Sequence, residues 1–167
     1  MNTKSALLTL LLLALPVLAA AQVEKQISAI RREVDAINKN APKFTKAERE
    51  VDNISAEGAT AVFFTESGKI RKITARIYGE TGQSVVEYFY DGGELIFAFQ
   101  RAQHYDKPID GGRAPKVSKI SEVRAYFEGG KCIRLLDGKL ALKEGTVEYD
   151  ESLYSLVETA DAIRAKF

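Results

Sequence analysis

The chain has 167 residues, with 24 basic and 23 acidic side chains, one histidine and no tryptophan. Because a nearly neutral chain lacks the positive charge that attracts nucleic acid, we expect no nucleic-acid partner. Cys132 is the single cysteine, which excludes an internal disulfide and leaves the hydrophobic core to hold the fold. We interpret its thiol as partly buried and inert, with an intermolecular disulfide as the alternative.

Residues 1–21, MNTKSALLTLLLLALPVLAAA, have the organisation of a secretory signal peptide. Lys4 supplies the positive N-terminal region, an apolar run follows it, and the alanines at 19–21 fit the small-residue rule for cleavage. The apolar run is shorter than the roughly 20 residues of a membrane-spanning helix. We therefore predict a mature chain of residues 22–167 that is periplasmic or secreted and has no membrane span. A retained N-terminal anchor is the alternative.

The mature chain is long enough for one domain with its own core. Its first predicted element is a helix over residues 23–38, which ends at the asparagines before Pro42. Apolar side chains recur there at spacings of four and three, as is typical of one buried helix face: Val23, Ile27, Ile30, Val34 and Ile37.

Three similar segments follow this helix, and each has the pattern of a β-hairpin. They are AVFFTESGKIRKI (61–73), VEYFYDGGELIFA (86–98) and VRAYFEGGKCIRL (123–135). Each consists of a strand, an acidic residue, a small residue, a glycine, a charged residue and a second strand. The sequence therefore predicts a six-stranded antiparallel β-meander over residues 60–137.

The turn glycines determine the register that we predict for the hairpins. In a three-residue loop the last position requires positive φ, and Gly68, Gly93 and Gly130 would occupy it. A two-residue loop would place Ser67 at positive φ, which serine disfavours, so we predict three-residue loops. Because a strand and not a helix follows each glycine, these turns do not match phosphate-binding loops.

This register assigns the strand residues to two faces of the sheet. The predicted core face is almost wholly apolar, and we expect both helices to pack on it: Phe63, Ile73, Ala75, Ile77, Val86, Tyr88, Ile96, Ala98, Val123, Ala125, Phe127, Ile133 and Leu135. The predicted outer face mixes rings and charges: Lys72, Arg76, Glu87, Phe89, Phe97, Phe99, Arg124, Tyr126, Cys132 and Arg134. A second amphipathic helix is predicted over 151–166, with Asp150 as its N-cap, so the predicted fold class is α+β.

Residues 102–118 interrupt the meander with two prolines and two adjacent glycines, and we predict a long loop there. This loop contains the only histidine and our polar candidates for a site: His104, Tyr105, Asp106 and Arg113. His104, Asp106 and Asp110 could be combined into a metal site, but their spacing matches no metal motif. We therefore predict neither a metal nor a cofactor.

The sequence contains no nucleophile motif, since GxSxG is absent and Cys132 lies within a predicted strand without a neighbouring histidine. We therefore favour a non-enzymatic protein. The alternative is a hydrolase that acts on glycans of the cell envelope through carboxylates alone. Its candidate residues are Glu80, Glu87 and Asp106.

At the repeated units YFYDGGELI and YFEGGKCI the chain resembles uncharacterised exported bacterial proteins built as helix, β-meander and helix. It is also similar, more loosely, to the tandem Y-x-x-G-x-L hairpins of MORN-like proteins. The likeness covers residues 60–137, with irregular offsets between the hairpins and Cys132 in place of the usual leucine. The resemblance implies a β-sheet interaction module and carries over no catalytic residue.

The outer face of the sheet is our candidate binding surface, because exposed rings beside arginines are typical of protein interfaces. The expected partner is an envelope or extracellular protein or peptide, bound on this face or along the predicted edge strand at 61–65. In the alternative, the 102–118 loop or the 39–59 segment covers the rings and forms a second small core. The candidate binding residues are Phe89, Phe97, Phe99, Arg76, Arg124 and Arg134.

Overall fold

The computed structural model describes residues 3–109 and 112–167, with residues 3–19 described by their backbone alone. The elements in chain order are α1 (Thr3–Asn40), a 3-10 turn (Ala41–Lys43), β1 (Thr45–Val51), β2 (Ala59–Glu66), β3 (Lys69–Gly79), β4 (Gly82–Asp91), β5 (Glu94–Tyr105), β6 (Val117–Glu128), β7 (Lys131–Asp137), β8 (Leu140–Ala141) and α2 (Val147–Arg164). The strands of the described chain form one antiparallel sheet, in which they lie in chain order from β1 to β8.

The predicted α+β class is confirmed, but the described sheet has eight strands and not six. The two additional strands, β1 and β8, lie at its edges. β1 has the charged sequence TKAEREV with only Val51 buried, so it lacks the alternating apolar pattern that indicates a strand. Because β1 pairs with β2, the predicted edge strand at 61–65 lies inside the sheet.

The three predicted hairpins form, but their loops have two residues and not three, so the predicted turn register is wrong. The pair that closes each loop is Glu66–Lys69, Asp91–Glu94 or Glu128–Lys131. In the first loop, Ser67 has φ 51° and Gly68 has φ 76°. Serine therefore accepts the left-handed conformation here, as a two-residue hairpin loop requires at both positions.

A β-bulge follows each of these turns at an equivalent position. The extra residue is Arg71, Ile96 or Ile133, three residues after the last turn glycine. Each loop is one residue shorter than predicted, and each bulge adds one residue. Beyond the bulge, every strand residue therefore lies on the face of the sheet that we predicted. From the turn to the bulge, the residues lie on the face opposite to the predicted one. Ile96 and Ile133 therefore lie on the predicted outer face, and Cys132 contacts the core.

α2 packs on the predicted core face of the sheet. The helix begins after Thr146, whose hydroxyl oxygen accepts a hydrogen bond from the Tyr149 N–H at 3.4 Å, so the predicted N-cap at Asp150 is wrong. The Tyr88 hydroxyl donates to the Leu156 carbonyl at 3.1 Å within the core. The fully buried residues of this core include Ala61, Phe63, Ile73, Tyr88, Ala98, Ala125, Leu135 and Ile163.

α1 packs on the opposite face, so the prediction that both helices share one face is wrong. The predicted helix over 23–38 lies within α1, and the first two residues of the predicted signal peptide lie outside the described residues. Ile27 and Ile30 pack against Tyr126, and Ile96 and Ile133 join them because the bulges turn both isoleucines to this face. As far as the chain is described, neither helix has the length and apolar character that crossing a membrane requires.

The connection between β5 and β6 is shorter than the predicted loop over 102–118. β5 continues to Tyr105 and β6 begins at Val117, and these two residues are paired. His104 and Tyr105 therefore belong to a strand. The extension was not predicted because QHY and VSK carry mostly polar side chains, as expected at an exposed end of a sheet.

Candidate functional site

α1 covers a row of side chains that crosses the sheet from β3 to β7, and we name it the covered row. The Phe89 and Phe97 ring centroids lie 5.8 Å apart, and Phe97 and Tyr126 lie 4.9 Å apart. Phe89 is 1% exposed. Phe97 packs with Ile27 and Ile30 of α1, so α1 covers this candidate ring, where we had considered the 102–118 loop or the 39–59 segment. The Phe89 ring is buried beside Phe97. The covered row comprises Lys72, Phe89, Phe97, Tyr126 and Arg134.

Charged side chains at the ends of the covered row contact α1. Arg134 Nη1 lies 2.7 Å from Glu24 Oε1, so this candidate binding residue is already paired within the chain. Lys72, which we predicted on the outer face of the sheet, is only 9% exposed. Its ammonium lies 2.5 Å from the Glu87 carboxylate and donates to Asn38 Oδ1 at 2.9 Å. These partners compensate the burial of its charge.

The part of the same face that α1 leaves uncovered carries a group of arginines around apolar side chains. In the strand register Arg76 is opposite Val85, and Val85 is opposite Arg101. In the next row Phe99 is opposite Arg124, whose guanidinium lies 5.1 Å from the ring centroid. We call these five residues the arginine face.

The guanidinium groups of the arginine face differ in their partners. Arg124 contacts Glu122 at 2.6 Å and donates to the Gly138 carbonyl at 3.1 Å. Arg76 and Arg101 are exposed and form no ion pair with any residue that the structure describes. Glu122 is opposite Arg101 in the register, but its carboxylate is paired with Arg124. The arginine face therefore has an excess of positive charge.

The arginine face has the chemistry to bind carboxylates. A guanidinium offers two parallel N–H donors to a carboxylate and is weakly hydrated, so it binds anions at low desolvation cost. Arg76 and Arg101 are two strands apart, which places their backbones roughly 10 Å from each other. Sequence reasoning missed Arg101 and Val85. Both residues would have been found by extending the predicted outer face along β4 and β5 by one more pair of opposite residues.

A second candidate site lies at the end of the sheet opposite the three hairpin turns, and we call it the loop-end cleft. It has a volume of about 350 Å³. The Tyr105 N–H donates to the Thr81 carbonyl at 2.8 Å, and the Ile109 N–H donates to the Glu80 carbonyl at 2.9 Å. These bonds hold the β5–β6 connection against the β3–β4 turn. The lining side chains include Glu57, Tyr78, Glu80, Gln83, Tyr105 and Ile109.

The structure does not bring the predicted loop candidates together into one site. Tyr105 lines the loop-end cleft, whereas His104 is exposed with its Nε2 3.2 Å from Ser121 Oγ. The Asp106 carboxylate accepts a hydrogen bond from the Lys116 N–H at 2.8 Å, and this bond links the two ends of the β5–β6 connection. Arg113 is exposed, and Asp110 lies outside the described residues.

Neither metal ligands nor a reactive thiol stands out in the described ranges. No group of three or more His, Cys, Asp or Glu side chains there is arranged to hold a metal ion. The Cys132 side chain is partly buried, and burial raises the pKa of its thiol. Because the thiolate is the reactive form, a raised pKa makes Cys132 a poor nucleophile at neutral pH.

Comparison of the chain with protein-family models, with curated proteins and with solved structures finds no significant match. The resemblance to MORN-like hairpins therefore stays a sequence-based hypothesis.

Proposed function

We propose that this protein is an exported, non-enzymatic protein-interaction module whose arginine face binds an acidic segment of an envelope or extracellular protein. The observation that carries the proposal is the group of three guanidiniums, Arg76, Arg101 and Arg124, beside apolar side chains outside the area that α1 covers.

The composition of the arginine face supports a protein ligand. Arginine and aromatic residues are enriched among interface residues that contribute most to binding. Val85 and Phe99 are partly buried and supply apolar area next to the charges. An acidic segment with apolar side chains would satisfy both parts of the surface.

The repeated hairpin geometry also supports an interaction module. Each of the three hairpins combines a two-residue turn with a bulge at the equivalent position. We infer that the hairpins are copies of one unit, as the MORN-like resemblance suggests. A sheet built from repeated units provides an extended surface and needs no catalytic pocket.

Anisotropy of a labelled peptide of alternating aspartate and valine tests this proposal. The double variant Arg76→Glu/Arg101→Glu should weaken binding by about tenfold or more, because attraction becomes repulsion. Arg49→Glu/Lys131→Glu is the matched control, since both residues are exposed on strands outside the arginine face. Equal binding by the double variant, the control and the unaltered protein would contradict the proposal.

The loop-end cleft favours the alternative function, a carboxylate hydrolase for envelope glycans. Of the three acids predicted for it, Glu87 is paired with Lys72 and Asp106 closes the β5–β6 connection. Glu80 alone remains in a cleft, where Glu57 joins it beside two tyrosines. Two carboxylates with aromatic side chains are the groups that glycoside hydrolysis uses.

Turnover of purified cell-wall glycans, measured as released reducing ends, tests the alternative. A hydrolase of this kind should lose its turnover in Glu80→Gln and in Glu57→Gln, whereas Glu128→Gln on an exposed hairpin should keep it. Turnover that survives both cleft substitutions would exclude the cleft as its site.

A further inference from the structure

The outward side of α2 carries apolar side chains that are partly or largely exposed. Tyr154 is 68% exposed and Val147 is 67% exposed. A shallow depression of about 950 Å³, whose described lining belongs to α2 alone, runs along this side of the helix, and we call it the α2 groove. Its apolar lining within the described chain is Leu153, Tyr154, Val157 and Ala162, of which Leu153 and Val157 also pack against the core.

The rim of the α2 groove is acidic. Asp150, Glu151, Glu158 and Asp161 line it together with the apolar side chains. Residues 144–163 contain six acidic side chains and no lysine or arginine, so no positive charge within α2 offsets them before Arg164. The Arg164 guanidinium lies 5.3 Å from the Tyr90 ring centroid, where it stacks on the core.

The spacing of these residues aligns their side chains along the axis of α2, where the face of a second helix can pack. Leu153 and Val157 are four residues apart, and Tyr154 and Glu158 are also four residues apart, so both pairs lie along the helix axis. The Tyr154 hydroxyl donates to Glu158 Oε1 at 3.1 Å, which orients the ring along the groove. Along the helix, Leu153, Tyr154 and Val157 lie between Asp150 and Glu151 on one side and Glu158 and Asp161 on the other. A partner helix with apolar side chains between basic ones complements this arrangement.

We propose that the α2 groove binds a basic amphipathic helix of a partner protein. An acidic partner or an anionic lipid surface would place its negative charge against four carboxylates, with no positive charge between them to offset the repulsion. Where its side chains are described, a second copy of this chain offers no exposed basic amphipathic helix. Ile27 and Ile30 of α1 are buried against the sheet, and α2 is itself acidic.

This site is independent of the arginine face. The α2 groove and the arginine face lie on opposite sides of the sheet and carry opposite charge. The protein could therefore bind a basic helix and an acidic segment at the same time, as an adaptor does.

Fluorescence anisotropy with a labelled model peptide tests the site on the purified full chain. The probe has leucines at helical i, i+3, i+4 and i+7 positions and lysines elsewhere, and we expect it to bind at micromolar concentration. Two reference peptides should not bind: the same pattern with glutamate for lysine, and the lysine peptide with its leucines scrambled off one face.

Substitutions within and outside the α2 groove then locate the binding. Tyr154→Ser and Glu151→Lys/Glu158→Lys should each weaken binding of the lysine peptide by about tenfold or more, because they remove the apolar anchor or reverse the rim charge. Glu94→Lys/Glu128→Lys makes the same charge change on exposed hairpins and should leave binding within about twofold. Circular dichroism confirms that each variant is folded.

Three results of the peptide assay would overturn the proposal, and one measurement of molar mass would do so as well. The three results are absence of binding, equal binding of the scrambled peptide, and equal binding by groove and hairpin variants. A molar mass that rises with concentration and is lowered by Tyr154→Ser would assign the groove to a second copy of this chain and would also overturn it.

Discussion

The guanidinium of Arg71 lies 2.5 Å from the carboxylate of Glu33, across the interface between β3 and α1. The same guanidinium lies 2.8 Å from Asp91 at the end of β4. One side chain at a bulge thus joins α1 to two hairpins. Burial lowers the pKa of Arg71, but the hydrogen bonds and charges of Asp91 and Glu33 outweigh it, and the pKa lies above its ordinary value.

Glu33→Gln should loosen α1 from the sheet. The ion pair is partly exposed, so we expect a loss of about 0.5–1 kcal/mol in the free energy of unfolding, which becomes smaller at high salt. Hydrogen exchange should quicken in α1 and stay unchanged in β4 and β5. Glu128→Gln, an exposed acid on the third hairpin, is the control. Uniform acceleration across the sheet would contradict a local role.

Ser67→Asn should stabilise the first hairpin. Ser67 has φ 51°, and asparagine followed by glycine is the preferred pair for such a turn. We expect the free energy of unfolding in urea to rise by about 0.5–1 kcal/mol with an unchanged denaturant slope. Gly129→Ala, at φ 55° in the third hairpin, should lower it by about 1 kcal/mol. A stabilising alanine would contradict the two-residue loop.

The stability of the fold should fall at alkaline pH. Burial raises the pKa of Tyr88 and of Tyr90 well above the ordinary value of a tyrosine. Above about pH 10 the unfolded chain releases these protons while the folded chain keeps them, so rising pH favours unfolding. Each tyrosine contributes a slope of up to about 1.4 kcal/mol per pH unit.

Urea unfolding measured between neutral pH and about pH 11 checks this expectation. Tyr90→Phe should flatten the decline, whereas Tyr78→Phe, at an exposed ring, should not change it. An equal decline in both variants would assign the alkaline loss to other groups.

Phe127 and Phe99 should respond differently to truncation because one is inside the core and the other lies on the arginine face. Phe127 is 4% exposed, and Phe127→Ala should cost about 3–5 kcal/mol in the free energy of unfolding. Phe99→Ala removes a partly exposed ring beneath Arg124 and should cost about 1 kcal/mol. Similar costs for the two variants would show that the arginine face is not open.

The hairpin meander and most strand faces could be predicted from the sequence, although the turn register was wrong. The wrong loop length was offset by a bulge that no local pattern indicates, because isoleucine at 96 or 133 suits either face of a sheet. The position of α1 depends on those two isoleucines meeting Ile27 and Ile30 across the fold. Local periodicity shows that a helix has an apolar face and does not show which surface that face meets.

The candidate site was predictable only in part for the same reason. Arg76, Phe99 and Arg124 were expected on an outer face and lie on the arginine face. Phe89 and Phe97 were expected there too, but α1 packs on Phe97, and Phe89 is buried beside that ring. The charges that hold α1 in place, such as Glu24 with Arg134, come from segments far apart in the chain.

The two edge strands of the sheet also influence how copies of this chain can associate. β1 has the charged sequence TKAEREV, and β8 is two residues long. A charged outer strand and a very short one are features by which sheets avoid pairing with other sheets. Growth by addition of a neighbour's strand, the first step toward a cross-β aggregate, is therefore disfavoured at both ends.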